Sequence, residues 1–199
     1  MTNILVLFFS QHNNCQQMAD LVARGVENVA DCNAIARTVP PIKASNDPNF
    51  TEIPDDGAPY ATLSDLEQAD GLCLGAPTHF GNMPAALKHF WDQTTGLWLS
   101  GALNKKPAGV FTSTGSLHGG QETTLLTMMI PLLHHGMIIT GLPYSEEALL
   151  TTRTGGTPYG PSHLAGTDGS NPISDEEKQL CIALGKRVAA LAKQLATPV

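Results

Sequence analysis

Hydroxyl, amide and glycine residues gather in three places, each just after an apolar run and just before a helical pattern. The first is residues 10–19, "SQHNNCQQMA", the second 74–92, "LGAPTHFGNMPAALKHFWD", and the third 112–122, "TSTGSLHGGQE". A helix N-terminus presents free N–H groups and partial positive charge, which suits a phosphate. Asn13 and Asn14 tolerate the left-handed backbone that such a loop needs. Glycines in the third stretch let the backbone come close to a flat ligand. The first stretch contains no Lys, and G-x-x-x-x-G-K-[ST] is absent, which disfavours a nucleotide triphosphatase. G-x-G-x-x-G is absent too. Three polar, acid-free loops on one sheet edge, with a single phosphate on the first, fit flavin mononucleotide better than a dinucleotide.

Two other chemistries fail on named positions. A receiver domain needs a carboxylate cluster for magnesium, but "FFSQ" and "LGAPT" carry no Asp where it would stand. A low-molecular-weight phosphatase needs C-x5-R, and Leu21 stands six places after Cys15. The adjacent His134 and His135 project in different directions, which makes them a poor metal pair. One of them suits a capping or packing role, the other proton donation near neutral pH. Cys15, Cys32, Cys73 and Cys181 have no metal-binding spacing and read as reduced thiols, so no metal is expected. Cys15 is expected to pack in a first helical turn rather than react.

The elements that must position these loops follow from hydrophobic periodicity. Apolar runs near 4–9, 34–39, 71–75, 108–114 and 137–143 read as buried strands. Helical spacing follows most of them: Cys15, Met18, Val22 and Val26; the segment from Met83, with Pro84 in its first turn; and Leu125, Met129, Leu132 and Leu133, stopped by Gly136. "TLSD" near Thr62 suits a short capped helix. Ser174 and Glu177 form a capping box ahead of Leu180, Leu184, Val188, Leu191 and Leu195. Residues 40–62 read as a surface excursion, and 144–173 as a long insertion without periodicity. Repeated strand–helix order predicts an α/β fold, an open parallel sheet with helices on both faces. Ligands of such folds bind beyond the carboxyl ends of the strands.

Composition narrows the partners. The 199 residues carry a net charge of −7, with 42% hydrophobic and only 15% charged residues. The balance argues against nucleic acid, which wants a basic face, and the low charge suits a surface partly covered in an oligomer. The N-terminus reads as a strand rather than a signal peptide. No apolar run approaches the roughly 20 residues of a membrane span, so a cytoplasmic protein is expected.

Six motifs in order, "PTHFGNM", "LWLSGAL", "STGSLHGGQE", "LLHHGM", "GGTPYG" and "AGTDGS", make the chain resemble the WrbA-type NAD(P)H:quinone oxidoreductases over nearly its whole length. The resemblance implies one flavodoxin-like domain over 1–199, with a twisted five-stranded parallel sheet in order 2-1-3-4-5 and the insertion near 144–173. It implies FMN as cofactor, NADH or NADPH as co-substrate, two-electron reduction of quinones, and assembly as a homotetramer. By resemblance Ser10, Gln11, His12, Asn13, Asn14 and Cys15 cradle the phosphate. Pro77, Thr78, His79, Phe80, Gly81 and Asn82 face the isoalloxazine, and Ser113, Thr114, Gly115, Ser116, Leu117, His118 and Gly119 close its other side. His134 is the catalytic candidate beside the flavin. Trp98 and His12 wall the substrate site, Trp98 over a neighbouring subunit's flavin.

The sequence departs from the family's pattern where His12 stands for an aromatic residue, Asn13 for Gly and His79 for a common Arg. The implied mechanism is ping-pong: hydride passes from NAD(P)H to flavin N5, and a quinone then accepts two electrons at the same face. A one-electron flavodoxin-type carrier and an FMN-binding regulatory or stress protein are the alternatives. A carrier does not need Trp98, the His pair or the insertion, and no basic patch supports the regulatory reading.

Overall fold

The structure is a computed structural model and describes residues 1–42 and 57–196. Most of the 40–62 excursion expected from the sequence therefore lies outside the described residues. The strands are β1 (Thr2–Phe8), β2 (Cys32–Thr38), β3 (Gly71–Pro77), β4 (Pro107–Thr114), β5 (Ile138–Ile139) and β6 (Ser162–Leu164). The helices are α1 (Asn14–Glu27), α2 (Leu63–Gln68), α3 (Ala85–Asp92), α4 (Thr95–Ser100), α5 (Gln121–His134), α6 (Ala148–Thr151) and α7 (Asp175–Leu195).

All strand pairs are parallel and the order is β2-β1-β3-β4-β5, as expected for a flavodoxin-like sheet. The fifth position is shared. β5 pairs only with the start of β4, at Pro107 and Ala108, while β6 pairs with its end, at Thr112, Ser113 and Thr114. The insertion is thus not structureless: it returns a strand to the sheet edge beside the third polar loop. Three residues are too few to show a period, which is why its pattern is silent.

β1 shows how side-chain alternation builds two layers. Ile4, Val6 and Phe8 enter the core shared with α1 and α7, and Leu5 and Leu7 enter the core shared with α3 and α5. Gly75, in the middle of β3, leaves room for the Phe111 ring, whose nearest carbons lie 2.1 Å from where a Cβ would stand. On α5 the buried apolar residues are Leu125, Met128 and Leu132, with Leu133 exposed. The expected stripe was right at Leu125 and Leu132, and Met129 packs half-buried against the same core, but it was wrong at Leu133, because α5 is apolar on much of its circumference. Both predicted caps are present: Thr62 with Asp65 on α2, and Ser174 with Glu177 on α7. Leu195 at the end of α7 is exposed rather than packed.

Candidate functional site

Four chain segments meet beyond the carboxyl ends of β1, β3, β4 and β6, around a cavity of about 460 Å³. Ser10, Gln11, His12, Asn14 and Cys15 form one wall, and Pro77, Thr78 and His79 the next. Ser113, Thr114 and Gly115 form the third, and Ala165 to Gly169 the fourth. A cavity of this size, mixing apolar backbone walls with convergent polar groups, belongs to the class that takes small molecules and cofactors.

The first wall has the features that suit an anion. Asn13 stands at the N-cap of α1 with φ 65°, the left-handed conformation expected of it, and its side chain makes no cap hydrogen bond. The first turn contains no acid, so the opening N–H groups keep their positive end uncompensated. Ser10 Oγ is buried and has no hydrogen-bond partner among the described residues, a costly state unless a ligand satisfies it. The Asn14 side-chain amide donates to the Gly169 carbonyl at 3.1 Å and ties the first wall to the fourth. Cys15 lines the cavity but is 1% exposed, and burial pushes its thiol up to about 12, against a smaller opposing effect from the Ser113 backbone. It packs in the first turn of α1, as expected, and burial disfavours the reactive thiolate.

The second wall is held from behind. His79 and Asn82 exchange both backbone hydrogen bonds across Phe80 and Gly81, whose φ values are 54° and 76°. Thr78 Oγ1 accepts the Gly81 N–H at 3.2 Å and the Thr124 hydroxyl at 2.7 Å, and the Thr127 hydroxyl donates to the Gly81 carbonyl at 3.0 Å. Gly81 is therefore required by this turn and by Thr123 of α5, 3.1 Å from where a Cβ would stand, rather than by a ligand alone. Phe80 is fully exposed and does not line the cavity, nor do Gly81 and Asn82. Asn13 shapes the first wall without lining it, and Ser116, Leu117, His118 and Gly119 form an exposed turn beside the third.

The fourth wall was not assigned a role from the sequence, although "AGTDGS" was among the motifs noted. It brings one acid to the rim of a site expected to have none. Asp168 accepts from both the Ser170 hydroxyl and the Ser170 N–H, and these bonds hold its carboxyl below the usual range. A Cβ on Gly115 would meet the Gly166 carbonyl at 3.4 Å, so the third and fourth walls approach to the width of one methyl group.

His134 and Trp98 lie elsewhere. They share a hollow of about 400 Å³ with Trp91, Thr94, Ile130 and His135. Along α5, His134 stands about 20 Å from Gln121 at the start of the helix, which follows the third polar loop. Within one chain, then, the structure does not bring His134 or Trp98 to the cavity. The two histidines have divided their work. His135 Nε2 lies 2.9 Å from Thr94 Oγ1, whose own proton goes to the Trp91 carbonyl, so Nε2 is the donor. Burial, and the His134 charge, hold His135 below its ordinary value. His134 is left exposed.

Among the described residues no helix is long and apolar enough to cross a membrane. No group of three or more His, Cys, Asp or Glu among them is arranged to hold a metal ion.

A parallel 2-1-3-4-5 sheet with an uncapped, acid-free helix start after β1 and a cavity at the strand ends is the arrangement of the flavodoxin-like, flavin-binding class. The pattern that defines the NADPH-dependent FMN reductases matches residues 2–145, and the chain belongs to that family. It is 44% identical, over 98% of its length and 99% of the relative's, to a NAD(P)H dehydrogenase (quinone) of Gluconacetobacter diazotrophicus. A WrbA-like flavodoxin protein from Agrobacterium tumefaciens has the same fold, with a TM-score of 0.68 at 24% identity, covering 98% of this chain and 99% of that one. Flavodoxin 2 from Bacillus cereus matches with a TM-score of 0.60 at 16% identity, over 98% and 99% of the two chains. The WrbA-type, flavodoxin-like assignment made from the six motifs holds.

Proposed function

We propose that the chain, acting as a single flavodoxin-like domain, is a cytoplasmic FMN-dependent NAD(P)H:quinone oxidoreductase that reduces quinones to hydroquinones. The observation that carries this reading is the buried Ser10 Oγ, without a partner among the described residues, beside the uncapped, acid-free start of α1. A phosphate satisfies that hydroxyl and those N–H groups together, and the residues present therefore fit FMN. When bound, FMN would supply hydride and two-electron chemistry between NAD(P)H and a quinone, used in ping-pong order at one open face.

The chain's own residues do the rest. Ser10, Gln11, Asn13, Asn14 and the backbone of Cys15 hold the phosphate. Pro77, Thr78 and His79, fixed against α5 by Thr124 and Thr127, form a rigid face for the ring. Ser113, Thr114 and Gly115 limit it on the other side, with the turn of Ser116, Leu117, His118 and Gly119 beside them. His12 and His79, both exposed at the rim, face the nicotinamide cofactor.

His134 is the hydrogen-bond or proton donor to a quinone oxygen, and this role requires a second copy. Support comes from α5, where Leu126, Ile130 and Leu133 form an exposed apolar stripe at 43%, 53% and 57% exposure, with Trp98 at 51% nearby. Apolar surface of this kind marks an interface. In a homotetramer the Trp98 and His134 hollow of one protomer covers the cavity of another, and the site is complete only there.

Purified, FMN-loaded protein is expected to oxidise NADH or NADPH when benzoquinone is supplied, and to elute as a tetramer. Turnover no faster than that of free FMN overturns the enzymatic reading. A monomer with full activity overturns the role of His134 and Trp98.

A further inference from the structure

β6 carries the chain into the fourth wall of the cavity, and it is clasped from both faces by side chains that take no part in the proposed chemistry. On the α5 side, the Gly156 N–H donates to Ser162 Oγ at 2.7 Å. The Ser162 hydroxyl donates to Gln121 Oε1, and Gln121 Nε2 donates to the Leu117 carbonyl at 3.1 Å. The dipoles run head to tail, an arrangement in which each bond polarises the next. Gln121 is 3% exposed and Ser162 is fully buried.

On the α7 side stands Glu177, 1% exposed. Its Oε1 accepts from the Gly155 N–H at 2.8 Å and the Leu164 N–H at 3.0 Å. Its Oε2 accepts from the Ser174 N–H at 2.8 Å and lies 2.9 Å from His163 Nδ1. An ionised carboxylate can only accept, and the Glu177 carboxyl is held below its ordinary value, so Nδ1 is the donor. The two clasps meet at neighbouring N–H groups, Gly155 and Gly156. No side chain fits there: a Cβ on Gly155 would lie 2.0 Å from the Ser162 carbonyl, and one on Gly156 2.4 Å from Leu180.

The far ends of the two clasps lead to the adjacent third and fourth walls of the cavity. Leu117 belongs to the turn beside Gly115. Leu164 leads through the Ala165 N–H, bonded to the Thr114 carbonyl at 2.8 Å, into residues 166–169. We propose that Gln121 and Glu177, joined through Ser162 and the Gly155–Gly156 turn, are positioning residues that set the spacing between the third and fourth walls and hence the grip on FMN. The inference rests on the cofactor reading above and adds residues that never touch the cofactor.

The test is a double-mutant cycle on FMN affinity, read by quenching of flavin fluorescence, with the visible circular dichroism of the bound flavin as a second signal. Ser162→Ala and Glu177→Gln are expected each to weaken FMN binding about tenfold and to change the ring's dichroism. The double variant is expected to lose clearly less than the hundredfold product, because either change alone already releases β6. If Glu177→Gln does not fold, Gln121→Leu with His163→Gln runs the same cycle. Wild-type protein that fails to bind FMN overturns the cofactor reading and this inference with it. Wild-type binding with strictly multiplicative losses, or single variants with unchanged affinity, overturns the relay alone.

Discussion

Replacing Gly185 by Ala tests how the far side of the molecule governs the anion-binding loop. α1 and α7 cross at two glycines. A Cβ on Gly185 would stand 2.0 Å from the Val22 carbonyl oxygen and 2.9 Å from the Val26 nitrogen, and one on Gly25 would stand 2.2 Å from the Ile182 carbonyl oxygen. These neighbours are backbone atoms and cannot rotate away, so one helix must move relative to the other. Overpacking of a core costs about 1–3 kcal/mol, and a contact against backbone belongs at the upper end. Ala is the better helix former by about 1 kcal/mol, which offsets part of the loss.

The expected net loss is therefore about 2 kcal/mol, a fall in Tm of about 4–8 °C for a chain of this size. Because α1 carries Asn14 and Cys15 into the cavity, FMN retention should weaken with it. Thermal melts and urea titrations of the FMN-loaded protein, followed by fluorescence titration of FMN, measure both effects. Gly96→Ala is the control: it lies in α4 with nothing within 4 Å of the added methyl, and it should gain up to about 1 kcal/mol. A Gly185→Ala protein as stable as wild type refutes the close helix contact and the reasoning built on it.

Other outcomes follow from the site. Gly115→Ala meets the Gly166 carbonyl at an ordinary 3.4 Å, so the apoprotein should melt within a degree or two of wild type, by the usual size of surface effects. FMN binding should fall sharply, because the methyl enters the gap between two walls. Asn13→Val puts a β-branched residue at φ 65° and should cost about 1–2 kcal/mol, while Asn13→Gly should be nearly neutral; denaturant titration separates them. Burial would raise Glu177, but the His163 hydrogen bond, the Ser174 and Leu164 N–H groups and the His163 charge outweigh it and hold its carboxyl below the ordinary value. A depressed folded value means that this stabilisation is present above the ordinary carboxylate range and is lost as pH falls through the folded value. FMN release on acid titration should therefore shift upward in pH in any variant that weakens the Glu177 donors, and a release curve unchanged in His163→Gln would contradict the pairing.

The three loops were legible because each combines an apolar strand, turn-forming residues and a helix start within about ten residues. Those signals are local, and sheet topology alone brings them together. The capping boxes at Thr62 and Ser174 were legible for the same reason, since three residues decide them. The fourth wall was not: β6 is three residues long and offers no period, and its place in the sheet depends on register with β4. Asp168 reached the rim of a site that had looked acid-free because its segment is far in sequence from the other loops. The roles of His134 and His135 could not be divided from sequence either. Thr94, 41 residues away, takes one of them into a hydrogen bond.

By itself the sequence determined the strand–helix order, the acid-free start of α1, the left-handed Asn13 and the family, all properties of short windows or of ordered motifs. Only the tertiary structure decided which faces and edges meet. It placed β6 beside the end of β4, closed the cavity with residues 165–169, buried Ser10 Oγ without a partner among the described residues, and carried His134 and Trp98 to a separate hollow. The physical reason is that periodicity fixes which side of an element is apolar, whereas long-range packing and hydrogen bonding fix what that side touches.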